Sequence, residues 1–201
     1  MTESPLKMGI LGSTKGTDLA AIFQAIDRGE LNASVEIVIS NKRGAFILER
    51  AKKRGIPTRF IGTKDKSREE FDREVTATLA SAQVELILLI GFMRILSAEF
   101  CSRWKNRILN VHPSLLPAFA GGINLDVHQA VLDSGVQETG CTIHFVTAEV
   151  DDGPIVIQKR CKVDSNETAD SLKSKVQNLE GQAFVEAIQK YQKHELDHFF
   201  R

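Results

Sequence analysis

The sequence predicts an α/β fold: a single domain on an open, mainly parallel, partly mixed sheet with helices on both faces. Three observations carry that expectation. Short apolar runs alternate with stretches of helical periodicity through the first half of the chain, the pattern of right-handed βαβ units. One run, VELILLI at 84–90, is almost unbrokenly apolar, as a strand covered on both faces in the middle of a parallel sheet must be. The second half is less regular, with two further apolar runs at 142–146 and 155–163 flanking a turn at 149–154.

Taken in order, residues 6–12 read as a strand that ends in Gly-Ser-Thr-Lys-Gly-Thr, followed by a helix with Leu19, Ile22, Phe23 and Ile26 at helical spacing. A second strand spans 34–40, a helix closed by Gly55 spans 45–54, and a third strand spans 58–61. Ser67 and Glu70 have capping-box spacing and open a helix whose apolar stripe is Phe71, Val75, Leu79 and Ala82. After Gly91 come a small helix at 97–104, a strand within 107–117, a loop at 118–127 and a brief helix at 128–133. A final helix from about Glu167 carries Leu172, Val176, Leu179, Ala183 and Ala187 and leads into a polar tail. No repeat and no Pro/Gly-rich linker divides the chain.

With 42% hydrophobic residues in 201, the chain is long enough to bury one core. Lysine plus arginine and aspartate plus glutamate both number 26, so no net field draws the protein to nucleic acid or an anionic membrane, and any phosphate binding must be local. Cys101, Cys141 and Cys161 are odd in number, widely spaced and in no C-x-x-C pair, which argues against a disulfide framework or a thiolate zinc site. No apolar run approaches the ~20 residues of a membrane span. A cytoplasmic protein is the expectation.

The chemistry concentrates in RILNVHPSLLP at 107–117. Strand alternation puts Asn110 and His112 on one side, and Pro113 ends the strand, so His112 should stand at its tip with the imidazole held out past the sheet. An amide donor and a titratable imidazole at one spot suit a carbonyl carbon that becomes a tetrahedral oxyanion. The plainer alternative is a strand end capped by polar groups. The turn Asp151-Asp152-Gly153-Pro154 offers a carboxylate, from Asp151 or Asp152, to stand beside that imidazole and take a proton. His144, inside TIHFV, reads as a buried histidine able to support the turn. The loop at 12–18, with Gly16, Thr17 and Asp18 before a helix, suits an anion, though it is neither a dinucleotide nor an ATP fingerprint. Its ordinary alternative is a βα turn with Thr17 or Asp18 as N-cap. Arg68 offers a bidentate phosphate contact or is a plain surface charge. His194-Glu195-Leu196-Asp197-His198 formally matches the H-E-x-x-H zinc pattern, but it lies in the charged tail and no metal is expected.

In order along the chain, GTDL, SNK, SREEFDRE, GFMRILS, NVHPSLLP, GCTIHFV and EVDDGPIVIQ resemble the phosphoribosylglycinamide formyltransferase family of folate-dependent enzymes. The likeness runs over 7–191. It implies a formyltransferase-type Rossmann-like fold, with 6–105 as a nucleotide- and phosphate-binding half, 106–191 as a catalytic and folate-binding half, and 192–201 as a polar tail. It implies transfer of a formyl group from 10-formyltetrahydrofolate to the amine of glycinamide ribonucleotide in purine biosynthesis, without a metal. Asn110, His112 and Asp151 would be catalytic. Gly16, Thr17, Asp18 and Arg68 would take the substrate phosphate, with Glu180 near its ribose. Met93, Arg94, Ile95 and Leu96 would face Val146, Thr147, Val150 and Asp151 across the folate pteridine. Asp18 departs from the family's amide; its side chain is expected to cap the helix while its backbone N–H meets phosphate. The sequence after Glu180, GQAF, and a longer segment at 118–127 are further departures. Alternatives are a formyltransferase for another amine, such as an amino sugar nucleotide, and a non-catalytic folate- or nucleotide-binding module. Methionyl-tRNA formyltransferase is disfavoured by the missing RGAAP-type continuation after SLLP and by no sign of an RNA-binding domain. Formyltetrahydrofolate deformylase is disfavoured because the five residues before the first strand leave no room for its N-terminal regulatory domain. The sequence is silent on oligomeric state.

Overall fold

The computed structural model describes residues 4–121 and 126–200. Seven strands form one sheet: β1 (Leu6–Leu11), β2 (Ala33–Ser40), β3 (Thr58–Phe60), β4 (Leu86–Leu89), β5 (Ile108–His112), β6 (Glu138–Phe145) and β7 (Ile155–Lys162). Their order across the sheet is β3-β2-β1-β4-β5-β6-β7, so the unbroken apolar run does occupy the central position. The pairs from β3 to β5 are parallel, and β6 pairs antiparallel with both β5 and β7. Among the described residues the α-helices are α1 (Asp18–Asp27), α2 (Phe46–Lys52), α3 (Arg68–Ser81), α4 (Ala98–Arg103), α5 (Val127–Asp133) and α6 (Ala169–Gln192).

Strand parity sorts the core into two layers. Met8, Ile10, Leu86, Leu88, Leu109, Ile143 and Phe145 pack with α1, α2, α5 and α6. Leu11, Ile39, Ile87, Leu89 and Ile108 point the other way and pack with Phe71, Val75 and Leu79 of α3 and Phe100 and Cys101 of α4. The predicted capping box opens α3: Ser67 Oγ accepts from Glu70 N at 3.1 Å, and Glu70 Oε2 accepts from Ser67 N at 2.7 Å. Among the described residues no helix is long and apolar enough to cross a membrane.

Two stretches differ from the sequence-based expectation. β6 begins at Glu138, four residues before Thr142, because Gly140 is a strand residue rather than a turn. A Cβ at 140 would lie 1.8 Å from the Lys159 carbonyl oxygen of β7, so only glycine lets the two backbones meet there. The tail is not simply polar. α6 ends at Gln192, His194 takes a left-handed turn with φ 57°, and the chain folds back through a 3-10 turn at Asp197–Phe200. Leu196 is buried, and Phe199 and Phe200 meet the Phe145 ring edge-on at centroid distances of 5.9 and 5.7 Å. The two histidines of H-E-x-x-H therefore share no α-helical face.

The approach of α6 to α1 also rests on a glycine. A Cβ at Gly181 would sit 2.7 Å from the Ala21 Cβ. Replacing Gly181 by Ala favours the helix by about 1 kcal/mol, whereas overpacking a closed contact costs about 1–3 kcal/mol. Gly181→Ala is expected to unfold at a lower urea midpoint than the parent; a raised midpoint would show that the two helices separate freely.

Candidate active site

A cavity of 630 Å³ opens along the carboxyl ends of β1, β4 and β5. This is where open α/β sheets place ligands. Thr14, Lys15, Gly16, Thr17 and Asp18 wall one end, and Met93, Arg94, Ile95 and Leu96 with the 146–151 segment wall the other. Asn110, His112 and His144 line it between those ends.

Ile108, Asn110 and His112 share the strand face that α3 and α4 cover further along the sheet. Asn110 stands opposite His144 in the antiparallel register. Its amide nitrogen lies 3.1 Å from His144 Nε2, and His144 Nδ1 lies 2.9 Å from the Phe145 carbonyl. The arrangement fits a neutral His144 that donates from Nδ1 and accepts from the Asn110 amide. Burial lowers the His144 pKa, which favours the same neutral form; the Phe145 carbonyl and the Asp151 carboxylate pull the other way. Asn110 is thereby held by a buried ring, with a second amide hydrogen to offer.

His112 ends β5, as expected, but it is enclosed rather than held out past the sheet, at 7% exposure. Its Nδ1 lies 3.3 Å from Asp151 Oδ2, and its Nε2 lies 3.0 Å from the Phe119 carbonyl. Both ring nitrogens face acceptors, and only the doubly protonated imidazolium donates to both. Of the two candidate carboxylates, Asp151 is the one at the imidazole. Burial pushes its carboxyl up, but the hydrogen bond and charge of His112, the Gly121 N–H and His144 outweigh this and hold it below the ordinary range. The connection at 146–154 returns over the sheet face to bring it there. Asp151 has φ 56°, tolerated by a short polar side chain. A Cβ at Gly153 would lie 1.7 Å from the Phe145 carbonyl oxygen, which is why that turn requires glycine.

At the other end, Gly16 has φ 63° and packs its bare Cα against Ile47. Thr17 is the N-cap of α1 but makes no side-chain cap hydrogen bond. Asp18 does not cap the helix as expected. It is the first helical residue, 4% exposed, and Glu180 of α6 is buried in the same wall of the cavity. Burial raises both pKa values, and the charge and hydrogen bond of Asp18 push Glu180 further, to about 8. Gly181 lets α6 lie against α1 at this point. Arg68 is exposed at the start of α3, on the opposite side of the sheet from α1 and α6, and does not line the cavity. Instead Lys15 and Lys173 do. Lys173, Gln177 and Glu180 recur at i, i+4 and i+7, a one-face spacing that was readable in the sequence. His128 also lines the wall, and burial lowers its pKa. In the 118–127 loop, residues 122–125 lie outside the described residues.

The formyl transferase family model matches residues 6–188. The chain is 40% identical over 172 residues to phosphoribosylglycinamide formyltransferase of Escherichia coli, covering 85% of this chain and 80% of that one. It is 44% identical over 185 residues to the trifunctional purine biosynthetic protein adenosine-3 of Gallus gallus, covering 92% of this chain; it spans only 18% of that longer protein. Among solved structures, glycinamide ribonucleotide transformylase 1 from Symbiobacterium toebii superposes with a TM-score of 0.91 at 36% identity, covering 96% of this chain and 90% of that one. A formyltetrahydrofolate deformylase from Burkholderia mallei superposes at 0.85 with 26% identity, covering 94% of this chain and 66% of that one.

The buried acid pair sets a pH dependence of stability. Both carboxyls have folded-state pKa values above their unfolded ones, so folding takes up protons, and stability is lost as pH rises from the ordinary carboxylate range toward about 8. Wild type is expected to lose urea stability relative to Asp18→Asn between about pH 5 and pH 8. Equal pH dependence of the two proteins would show that burial does not raise these carboxyls.

Proposed function

The chain belongs to the formyl transferase family, and from that membership we propose that it transfers the formyl group of 10-formyltetrahydrofolate to the amine of glycinamide ribonucleotide in purine biosynthesis. The observation that carries the proposal is the convergence of Asn110, His112 and Asp151, from a strand and a distant turn, on one wall of a cavity with two chemically different ends.

The donor end suits a flat, mostly apolar ring. Met93, Ile95 and Val150 are 39%, 38% and 47% exposed around it, large apolar side chains that a bound pteridine would cover, with Leu96, Val146, Thr147 and the Arg94 backbone completing the walls. The acceptor end offers the 14–18 loop, whose glycine at 16 opens backbone N–H groups to a phosphate, and Lys15. Glu180, which lines the same end, would accept from a ribose hydroxyl. Arg68 is left out of this assignment because it is not among the residues that line the cavity.

As the substrate amine attacks, the formyl oxygen gains negative charge. The second Asn110 amide hydrogen and the His112 Nε2–H donate to it. In the structure the Phe119 carbonyl accepts from that Nε2, and the formyl oxygen takes over this acceptor position. During the attack Asp151 is negatively charged beside His112, holding the ring in orientation and stabilising the imidazolium. The attacking amine must shed a proton, and the tetrahydrofolate nitrogen must gain one. Asp151 accepts the first and returns it, through His112 or a water, so no net charge is left behind.

Each oxyanion donor is worth about 10²–10³ in kcat. Asn110→Ala and His112→Ala are each expected to lose that much while retaining tetrahydrofolate binding, followed by release of tetrahydrofolate on mixing both substrates. Near wild-type turnover in either folded variant would overturn the assignment. Release of tetrahydrofolate with water alone would mark a hydrolase, and binding without turnover in the wild type would mark a non-catalytic module.

A further inference from the structure

Two loops at the carboxyl edge of the sheet meet at one serine. Ser13 is 4% exposed and does not line the cavity, but its neighbour Thr14 begins the acceptor wall. Its N–H donates to the Gly91 carbonyl at 3.0 Å. Its hydroxyl joins three segments: Ser13 Oγ accepts from Met93 N in the donor wall at 2.9 Å and donates to Asn41 Oδ1, just past the end of β2, at 2.6 Å. We infer that Ser13, oriented by Asn41, is a positioning residue for formyl transfer: it fixes the donor wall against the acceptor loop and so sets how closely the formyl carbon meets the amine. The inference rests on the assignment of the two substrates to the two ends of the cavity.

The two walls are anchored unequally. The acceptor loop is tied along its length: Gly12 N donates to the Ile39 carbonyl at 3.0 Å, Ile47 N to the Thr14 carbonyl at 3.2 Å, and Arg50 Nε to the Lys15 carbonyl at 2.8 Å. It is also seated on the start of the donor loop, where a Cβ at Gly91 would lie 2.2 Å from Thr14 Oγ1. The donor wall has much less. Among the described residues, the backbone of 92–96 makes one hydrogen bond to the rest of the protein, the one from Met93 N to Ser13 Oγ. The next anchor is Ser97 N on Asp72 Oδ2 at 2.6 Å. Met93 and Ile95 are exposed, so their side chains add little hold of their own.

A serine hydroxyl rotates to suit its partners, and Asn41 claims its hydrogen, which turns a lone pair toward the Met93 N–H. Bonds in such a chain strengthen one another. Alanine at 13 would leave both the Met93 N–H and the Asn41 oxygen without this partner, and 92–96 would shift to find another. Misplacing reacting groups by about 1 Å can cost about a hundredfold in rate. Asn41 does not line the cavity either, so an effect of its removal on transfer is passed on through Ser13.

The test is single-turnover formyl transfer with both substrates saturating, in Ser13→Ala, Asn41→Ala and the double variant, together with the dissociation constant of each substrate measured alone. Ser13→Ala is expected to slow transfer by about tenfold or more and Asn41→Ala by about threefold or more. The double variant should stay within about twofold of Ser13→Ala, because Asn41 acts through the serine. Both dissociation constants should stay close to those of the wild type, which separates positioning from binding and from a loss of folded protein. A wild-type rate at saturation in either folded single variant, slowdowns that multiply in the double variant, or a loss confined to the dissociation constants would each overturn the inference while leaving the function standing. If Ser13→Ala does not fold, Asn41→Ala, which keeps the hydroxyl, decides alone: slower transfer at unchanged affinities supports the inference and an unchanged rate overturns it. A wild type that binds both substrates and transfers no formyl group would instead remove the proposed function, and this inference with it.

Discussion

The functional architecture depends on β5 being paired in two senses at once. Its parallel pairing to β4 places Asn110 beside Leu89 at the carboxyl edge of the buried half of the sheet. Its antiparallel pairing to β6 places the same residue opposite His144. One strand thus belongs both to the parallel part of the sheet and, through β6, to the hairpin whose connection carries Asp151. A one-residue slip of β6 against β5 would turn His144 toward α6 and take away the Asn110 support. Phe145 and Ile143, buried on the opposite face, hold that register in place.

The site contains two buried carboxyl systems in opposite states. The hydrogen bond and charge of His112 hold the Asp151 carboxyl below the ordinary range, whereas burial pushes those of Asp18 and Glu180 above it. The same functional group is favoured in its charged form at one place and disfavoured at the other, decided by surroundings rather than by residue type. Both arrangements depend on a glycine: Gly153 lets the aspartate turn pass the Phe145 carbonyl, and Gly181 lets α6 approach α1.

Much of this was legible in the sequence, for reasons that are local. The 84–90 run declares a doubly covered strand, Ser67 with Glu70 declares a helix start, and the i, i+2 spacing of Asn110 and His112 declares a shared face. Where contacts between distant segments decide, local patterns are silent. Nothing near Asp18 indicates that α6 lies against it, so helix capping was the natural local expectation. Gly140 carries no strand signal of its own, and its place in β6 is explained only by the Lys159 carbonyl packed against it. Arg68 matches a motif, yet its helix lies across the sheet. The tail reads as polar because Leu196 and Phe199 are spaced among charges, and only the left-handed His194 shows that they turn back to the core.

The central claim is that His112 and Asp151, supplied by separate elements, act as one unit on one developing charge. It is tested most directly by a double-mutant cycle on single-turnover formyl transfer, with His112→Ala, Asp151→Asn and the double variant. Groups that act as a unit are strongly non-additive, so the double variant should be within about threefold of the slower single variant. Slowdowns that multiply would show two independent contributions and contradict the account.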